Sequence, residues 1–377
     1  MNVLICPDKF KGSLAAKEVC LAVAKGLHEA NPEANIESVP LADGGEGTCD
    51  LLTDWYGGSK IELEVHGPLF ERIRASYGLS KEGDTAFIEM AVASGLTLIK
   101  EEARNPLFTT TLGTGELIAD ALHRNVKKII LGIGGSATND AGMGMATALG
   151  YKFCDGEGAA LKPTGENLIH IRYIDATSVD PLLRSADIVA LCDVTNPLYG
   201  PEGAAAIYGP QKGARQQDVQ FLDAGLRNFR RVVQKFLKQS VDFPGAGAAG
   251  GLGAGAKVFL HAQMVKGISH IIESTGLAQK INRADIIFTG EGKIDQQTFS
   301  GKVLSEVLLL AQVRGKPVVV ICGKSEVPES ALAGYGIKKL IPLVDENTSD
   351  ESAIQHAANL ITTKVREACK DMTALLK

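Results

Sequence analysis

The chain has 377 residues, which is long for one domain and suggests two. Its 39 basic and 44 acidic residues are interspersed without a Lys/Arg block, so we expect no nucleic-acid partner. The apolar runs are too short for a signal peptide or membrane span, and the seven cysteines, irregularly spaced, form no disulfide framework; we therefore expect a reduced cytoplasmic protein with no membrane partner.

The first sixty residues alternate between strand and helix patterns. "NVLIC" (2–6) predicts a buried strand, and "SLAAKEVCLAVAKGLHEANP" (13–32) predicts an amphipathic helix with Ser13 as its N-cap. "ANIESVPLA" (34–42) predicts a second strand, and "CDLLTDWYGG" (49–58) predicts a second helix. This alternation predicts the start of a parallel sheet with right-handed crossovers.

The pattern changes in the middle of the chain. Apolar and polar residues alternate in "KIELEVHGPL" (60–69), "RIRASYGLS" (72–80) and "DTAFIEMA" (84–91), which predicts an antiparallel or mixed β region. Further along lie a predicted long helix over about Gln217–Gln239 and a glycine-dense segment, "GAGAAGGLGAGAK" (245–257). We interpret this stretch as a mixed α/β domain.

The α/β alternation returns in the last quarter of the chain. Apolar runs at 284–290, 316–323 and 337–344 predict strands, and helical patterns begin at about Gly301 and at Glu351. The simplest interpretation is an α/β protein with a Rossmann-like parallel-sheet domain (residues 1–67 and 284–377). This domain is interrupted by the mixed α/β domain (residues 68–283).

Glycine is the most informative residue type. The chain has 42 glycines among its 377 residues, or about 11%, whereas the average share of glycine is roughly 7%. Six glycine-containing loops follow apolar runs or open helices: "CPDKFKGS", "ADGGEGT", "GIGGSATNDAG", "CDVTNPLYG", "GAAGGLGAG" and "TGEGKIDQQTFSGK". All of them except "GAAGGLGAG" also carry carboxylate, amide or lysine side chains. Backbone N–H groups and helix N-termini bind anions, whereas carboxylates beside an anion require a bridging divalent cation such as Mg²⁺. Together these parts indicate phosphoryl transfer.

No standard nucleotide motif explains these loops. Gly323-Lys324-Ser325 follows a predicted strand, but Val318 stands where a Walker A loop requires its first glycine. The segment from Gly132 has Ala137 where the dinucleotide fingerprint requires its last glycine. The sequence also lacks zinc-ligand spacings and a serine-hydrolase elbow.

The loops together resemble those of the bacterial glycerate kinases of the type that includes the glycerate 2-kinases. Ten segments match in the same order over nearly the whole chain: "PDKFKGSL" (7–14), "VPLADGGEGT" (39–48), "GPL" (67–69), "TAFIEMAVASGL" (85–96), "TTTLGTGELI" (109–118), "GIGGSATNDAGMGM" (132–145), "CDVTNPLYG" (192–200), "YGPQKGA" (208–214), "PGAGAAGGLGAG" (244–255) and "TGEGKIDQQTFSGK" (289–302). One departure is Ala141, which stands where the family has a glycine.

The resemblance implies an ATP-dependent kinase that phosphorylates D-glycerate, with 2-phosphoglycerate as the favoured product and 3-phosphoglycerate as the alternative. It also implies a Rossmann-like domain interrupted by a second α/β domain, with the active site in the cleft between them. The expected ligands are thus ATP, Mg²⁺ and the small-molecule substrate D-glycerate. A homodimer is compatible with the sequence.

We assign roles to residues of these loops as a hypothesis. Asp193 is the candidate general base and Lys212 a catalytic lysine, which "GPQKGA" holds between two glycines; ordering of the turn is the alternative role for Asp193. The candidate metal ligands are Asp43 and Glu46, with Glu291 and Asp295 as competitors. The candidate substrate or phosphate contacts are Asp8, Lys11, Ser13, Gly134, Gly135, Ser136, Thr138, Asn139, Asn196, Gly251, Gly253, Gly290, Lys293 and Lys302.

Two other classes of function are compatible with glycine-rich loops. A non-catalytic sensor of a phosphorylated small metabolite explains the glycines and helix N-termini, but not the many carboxylates in the same loops. An NAD-dependent dehydrogenase is disfavoured because the dinucleotide fingerprint is missing.

Overall fold

A computed structural model describes residues 1–42, 44–295, 298, 303–328 and 333–371. The chain forms two compact units: a terminal unit made of residues 1–43 and 268–377, and a central unit made of residues 44–267. Both boundaries differ from those that we predicted, near residues 68 and 283. The first one moves because the strand that begins at Ser59 pairs along its whole length with a strand of the central unit.

The strands, in chain order, are β1 (Asn2–Ile5), β2 (Asn35–Ser38), β3 (Ser59–His66), β4 (Arg72–Leu79), β5 (Thr85–Glu89), β6 (Lys128–Gly132), β7 (Lys152–Cys154), β8 (Tyr173–Asp175), β9 (Asp187–Leu191), β10 (Gln263–Val265), β11 (Ile286–Ile294), β12 (Val318–Ser325) and β13 (Ile337–Pro342). The helices are α1 (Ala16–Ala30), α2 (Thr48–Trp55), α3 (Ala91–Ser94), α4 (Leu112–His123), α5 (Met143–Ala148), α6 (Ala204–Tyr208), α7 (Gln216–Phe236), α8 (Ala248–Phe259), α9 (Gly267–Thr275), α10 (Leu277–Arg283), α11 (Val303–Val313), α12 (Asp350–Gln355) and α13 (Ala357–Ala368).

The terminal unit contains a five-stranded sheet in the order β13-β12-β11-β1-β2, with every neighbouring pair parallel. Strand β1 pairs with β11, so residues from the two ends of the chain share one sheet. Apolar side chains of α1 and α13 pack on it, among them the buried Val23, Leu27 and Ile361. The predicted parallel-sheet architecture is confirmed.

Two local predictions in this unit are wrong. Ser13 does not cap α1: the helix begins at Ala16, the Glu18 carboxylate accepts the Ala15 N–H, and the Ser13 hydroxyl donates to the Ile354 carbonyl. Strand β11 does not end near Gly290 but runs to Ile294, because "GEGKI" continues the ladder with β12.

The central unit contains a six-stranded sheet in the order β10-β9-β6-β5-β4-β3. The pairs among β10, β9, β6 and β5 are parallel, whereas β4 pairs antiparallel with both β5 and β3, so the predicted mixed sheet is confirmed. The long helix that we predicted is α7, three residues shorter at its C-terminal end. The glycine-dense segment forms α8, whose first turn has left-handed backbone at Ala249, Gly250 and Gly251. No helix in the described part of the chain is long and apolar enough to cross a membrane.

Candidate functional site

Three parallel strands end together at one edge of the central sheet. The last residues of β5, β6 and β9 are in register, since Glu89 pairs with Gly132 and Gly132 with Leu191. The carboxyl ends of parallel strands are the edge where ligands bind in open α/β sheets. The loops that follow β6 and β9, residues 133–142 and 192–200, therefore begin side by side.

A glycine turn before α2 lies against both loops. A methyl group on Gly44 would stand 3.4 Å from Asp193 Oδ2, and a methyl group on Gly134 would stand 3.4 Å from the Cα atom of Gly45. Glu46, a predicted metal ligand, is exposed in this turn. The fold thus brings three of the six predicted loops together at one edge of the central sheet.

Lys212 forms the floor of the loop over residues 133–142. Its side chain is 2% exposed, and Nζ donates to Ser136 Oγ and to the Thr138 carbonyl, both at 2.7 Å. Above it, Gly134 and Gly135 are exposed and Ser136 reaches the surface with 7% of its area. A buried cation therefore lies directly beneath an exposed glycine turn.

The charge of Lys212 is held at a cost. Burial lowers the pKa of Lys212 to about 7, and the negative charge of Asp140 acts in the opposite direction. Lysines with such a depressed pKa cluster at functional sites, because an ordinary surface lysine stays in water. The arrangement supports the prediction that singled out Lys212.

Asp140, which our sequence reasoning did not select, anchors this loop. The carboxylate is fully buried and accepts four hydrogen bonds, from the Thr111 N–H (2.8 Å), the Thr111 hydroxyl (2.8 Å), the Gly142 N–H (3.1 Å) and the Gly144 N–H (3.1 Å). Burial raises the pKa of Asp140, and the four donors oppose that rise. The sequence offered one signal for this role: Asp140 lies three residues before the start of α5, and Asp is frequent at the start of helices.

Residues 136–139, three of which are predicted contacts, belong to the loop that precedes α5. Helix α5 begins at Met143, and Thr138 and Asn139 have no exposed surface. Within the described chain, Thr138 Oγ1 and both polar atoms of the Asn139 side chain are buried without a hydrogen-bond partner. Each such atom lowers the stability of the folded protein by about 1–3 kcal/mol, so this loop conformation is destabilising in itself. Ala141 adds to this, because its φ of 51° is one that glycine adopts more easily.

Asp193 and Asn196 occupy the loop after β9. Asp193 is exposed, and its Oδ1 accepts the N–H of Gly267 (2.9 Å), the first residue of α9. Both ends of the Asn196 amide are engaged: Nδ2 donates to the Glu202 carbonyl (2.9 Å) and Oδ1 accepts from the Tyr208 hydroxyl (2.6 Å). Asn196 therefore shapes the loop, while Asp193 presents a carboxylate to solvent.

The glycines of α8 meet protein backbone. A methyl group on Gly253 would stand 2.1 Å from the Gly245 carbonyl oxygen, and one on Gly251 would stand 3.0 Å from the Cα atom of Ala141. Both glycines are buried. Gly251 permits close packing against the loop over residues 133–142, whereas Gly253 permits close packing against the segment that precedes α8.

The terminal unit carries a second candidate site, a cavity of about 460 Å³. Six of the predicted residues line it: Asp8, Lys11, Ser13, Glu291, Lys293 and Asp295. Gly290 is buried inside β11 and does not line it. The lining also includes Lys9, Gly323, Lys324 and Asp350, which we did not predict; Gly323-Lys324 was considered only as a Walker A fragment.

The charges of this cavity are balanced and differ in how they are engaged. Lys324 pairs with Asp350 (2.8 Å), and Lys293 pairs with Glu326 (2.9 Å). Lys11 is exposed and makes no ion pair with any described residue. Lys11 is therefore the lining lysine most available to an anionic ligand.

The donor set of the cavity suits Mg²⁺ bound together with phosphates. Among the described residues, no three His, Cys, Asp or Glu side chains converge closely enough to hold a metal ion alone. Mg²⁺ with a nucleotide needs only one or two protein carboxylates, since water and phosphate oxygens complete its coordination. Asp8, Glu291 and Asp295 line the cavity, so it has enough carboxylates for this kind of coordination. The remaining predicted residues, Asp43 and Lys302, lie outside the described residues.

Comparison with known proteins agrees with this architecture. A model of the glycerate kinase family matches residues 3–373. The chain is 42% identical to a glycerate kinase of Halalkalibacterium halodurans over 97% of this chain and 96% of the relative, and 44% identical to the glycerate 2-kinase of Escherichia coli K12 over 93% of each. A crystal structure from Salmonella typhimurium LT2, assigned to glycerate kinase 2, superimposes with a TM-score of 0.89 at 40% identity over 99% of this chain and 98% of that one.

The fold, the two anion-suited sites and these full-length matches define a kinase. The chain belongs to the glycerate kinase family.

The buried charge of Lys212 predicts how stability depends on pH. The unfolded lysine keeps its proton above pH 7 and the folded one releases it, so Lys212 by itself raises the free energy of unfolding between pH 7 and pH 10. The buried thiols of Cys6, Cys20 and Cys322 act in the opposite direction at alkaline pH because burial raises their pKa, so the contribution of Lys212 is measured as the difference between the wild type and a variant without it. Over these three pH units the contribution of Lys212 is at most about 4 kcal/mol. We expect Lys212→Met to lose this rise, as measured by urea denaturation at pH 6, 8 and 10.

Lys81→Met is the matched control, since Lys81 is exposed in the same unit. Its curve should follow the wild type. A Lys212→Met curve parallel to that of the wild type would show that the folded protein binds this proton as tightly as the unfolded chain does.

Proposed function

We propose that the protein phosphorylates D-glycerate with ATP and releases 2-phosphoglycerate. The observation that carries the proposal is the edge of the central sheet, where an anion-suited loop over a buried cation adjoins a loop with an exposed carboxylate. Glycerate carries one carboxylate and two hydroxyls, so it needs an anion site and a proton acceptor close together. The identity to a glycerate 2-kinase supports the choice of product.

The glycine turn supplies the anion site. Gly134 and Gly135 are exposed, and neither N–H donates to another backbone group in the described chain. Gly135 has a φ of 75°, a backbone conformation that turns successive N–H groups towards one side. With the Ser136 hydroxyl, these groups suit the carboxylate of glycerate.

Asp193 is the proposed general base. It accepts the proton of the glycerate hydroxyl while that oxygen forms a bond to the γ-phosphorus of ATP, and the bond from phosphorus to the bridging oxygen breaks to release ADP. An exposed carboxylate at the mouth of the site can return the proton to water after each turnover. Its Oδ1 accepts the N–H of Gly267, which holds the carboxylate in the loop after β9.

The cavity of the terminal unit is the proposed nucleotide site. Its volume lies in the range of small-molecule pockets, and Lys11 contributes a charge with no competing ion pair among the described residues. When bound, Mg²⁺ would neutralise phosphate charge and orient the γ-phosphoryl group. Glu291 and Asp295 are the residues that would hold it, with Asp8 beside them.

The proposal is tested by ADP release in the presence of Mg²⁺-ATP with and without D-glycerate, followed by phosphorus NMR of the product. We expect turnover that depends on D-glycerate and a single 2-phosphoglycerate product. A 3-phosphoglycerate signal would contradict the product, and absence of turnover would favour a sensor.

Replacing Asp193 with Asn should lower kcat by about 100-fold or more, because the amide cannot accept the hydroxyl proton. The amide oxygen can still accept the Gly267 N–H, so the thermal midpoint should be close to that of the wild type. ATP binding, measured by calorimetry, should be retained.

The matched control is Asp187→Asn. Asp187 is an exposed carboxylate at the start of β9, the strand that precedes the Asp193 loop, and its replacement should keep full activity. A loss of less than tenfold for Asp193→Asn, or a loss that parallels a fall in stability, would leave Asp193 with a turn-ordering role only.

Replacing Lys11 with Met should raise KM for ATP by about tenfold and change kcat little, since one charge-assisted contact to phosphate is lost. Lys25→Met, an exposed substitution on α1, should leave KM for ATP unchanged. An effect of Lys11→Met on KM for D-glycerate alone would place the nucleotide elsewhere.

A further inference from the structure

The cavity of the terminal unit differs in chemistry from one side to the other. On the side formed by β11 and the loop that follows β1, the lining includes the charged residues Asp8, Lys11, Glu291, Lys293 and Asp295. On the side formed by α12 and the segment that precedes it, the lining includes the apolar residues Leu343, Val344, Ala353 and Ile354. We call these two sides the charged end and the apolar end.

A floor of glycine backbone connects the two ends. A methyl group on Gly292 of β11 would stand 3.1 Å from the Lys11 nitrogen, and one on Gly323 of β12 would stand 2.4 Å from the Gly292 carbonyl oxygen. The Val344 N–H donates to the Gly323 carbonyl (2.9 Å). These residues therefore form one row across the sheet, in which Gly292 and Val344 are two strand positions, or about 10 Å, apart.

The charges near the apolar end are already paired. Asp350, the first residue of α12, forms an ion pair with Lys324 of β12 at 2.8 Å. Lys11 at the charged end makes no ion pair with any described residue. Phosphate groups are therefore attracted to the charged end, and the apolar end suits an uncharged part of the ligand.

Ile354 is the lining residue that leaves most apolar surface in water. Its exposed fraction is 52%, whereas Leu343 and Ala353 are buried. The Ser13 hydroxyl donates to the Ile354 carbonyl at 2.7 Å, which ties this residue to the loop that carries Lys11. A ligand with an apolar face would gain free energy by covering the Ile354 side chain.

We propose that the apolar end binds the base of the donor nucleotide, and that Ile354 is a specificity-determining residue that selects a nucleoside triphosphate over a bare polyphosphate. The base has a flat apolar face that packs on Ile354. The ribose and the first phosphates cross the glycine floor, and the terminal phosphates reach Lys11. This inference rests on the proposed function, in which this cavity binds ATP, and it adds the direction in which the nucleotide lies.

Two probes separate the base from the phosphates. Inorganic tripolyphosphate carries at least as many negative charges as ATP but has no base or ribose. Calorimetric titration of the wild type with each probe, in the presence of Mg²⁺ and without D-glycerate, should show ATP binding at least about tenfold more tightly, because only ATP covers the apolar end.

Ile354→Ala should weaken the binding of ATP about fivefold and leave the binding of tripolyphosphate unchanged, since apolar area is lost only under the base. Lys11→Met should weaken the binding of both probes by a similar factor, because both place phosphate at the charged end. The opposite patterns of the two variants distinguish the two ends of the cavity.

Leu21→Ala is the matched control. Leu21 is an aliphatic residue of α1 with an exposed fraction of 65%, and it does not line the cavity. This variant should bind both probes as the wild type does. The thermal midpoint of Ile354→Ala should also be close to that of the wild type, because the side chain is exposed.

Three results would overturn the proposal: equal affinity of the wild type for the two probes, an Ile354→Ala variant that binds ATP as the wild type does, or one that loses affinity for both probes equally. If Lys11→Met nevertheless weakens both, the nucleotide site stands and only the position of the base fails. If Lys11→Met changes neither while ATP still binds, the nucleotide site of the proposed function fails, and this inference fails with it.

Discussion

The central unit depends on one buried ammonium group. Lys212 is removed from water and needs acceptors at short distance, which Ser136 and the Thr138 carbonyl provide. Those acceptors exist only if the loop over residues 133–142 folds around the lysine. Helix α8 then packs against the outside of this loop, with Gly250 so close that a methyl group would stand 1.9 Å from the Thr138 oxygen. One desolvated charge thereby explains both the loop conformation and the glycine content of the neighbouring helix.

Glycine has two different uses in this chain, and the sequence did not separate them. We expected each glycine-rich loop to bring backbone close to a ligand. The exposed Gly134 and Gly135 fit that expectation, whereas Gly251 and Gly253 bring backbone close to backbone. The composition of both segments is similar, and only the identity of the neighbouring atoms distinguishes them. The Ala141 neighbour of Gly251 lies 110 positions earlier in the chain, which no local pattern encodes.

The periodicity of apolar residues predicted where strands and helices lie, but it predicted less well which strands pair with one another. The alternating run over 60–69 reads as a strand because apolar residues recur at every second position, and β3 lies there. Its membership in the central unit depends on pairing with β4, so the boundary near Pro68 was wrong. Asp140 was missed for a similar reason. Two of its four donors are at Thr111, 29 residues earlier, and only the N–H groups of Gly142 and Gly144 belong to its own segment.

The two candidate sites offer anions charge in physically different ways. In the terminal unit Lys11, Lys293 and Lys324 of the cavity are exposed, so their charges are screened by salt. Such groups suit the several charges of a flexible triphosphate. In the central unit a single cation is buried, so its field is barely screened and its hydrogen-bond direction is determined. That arrangement suits a small acid with one carboxylate.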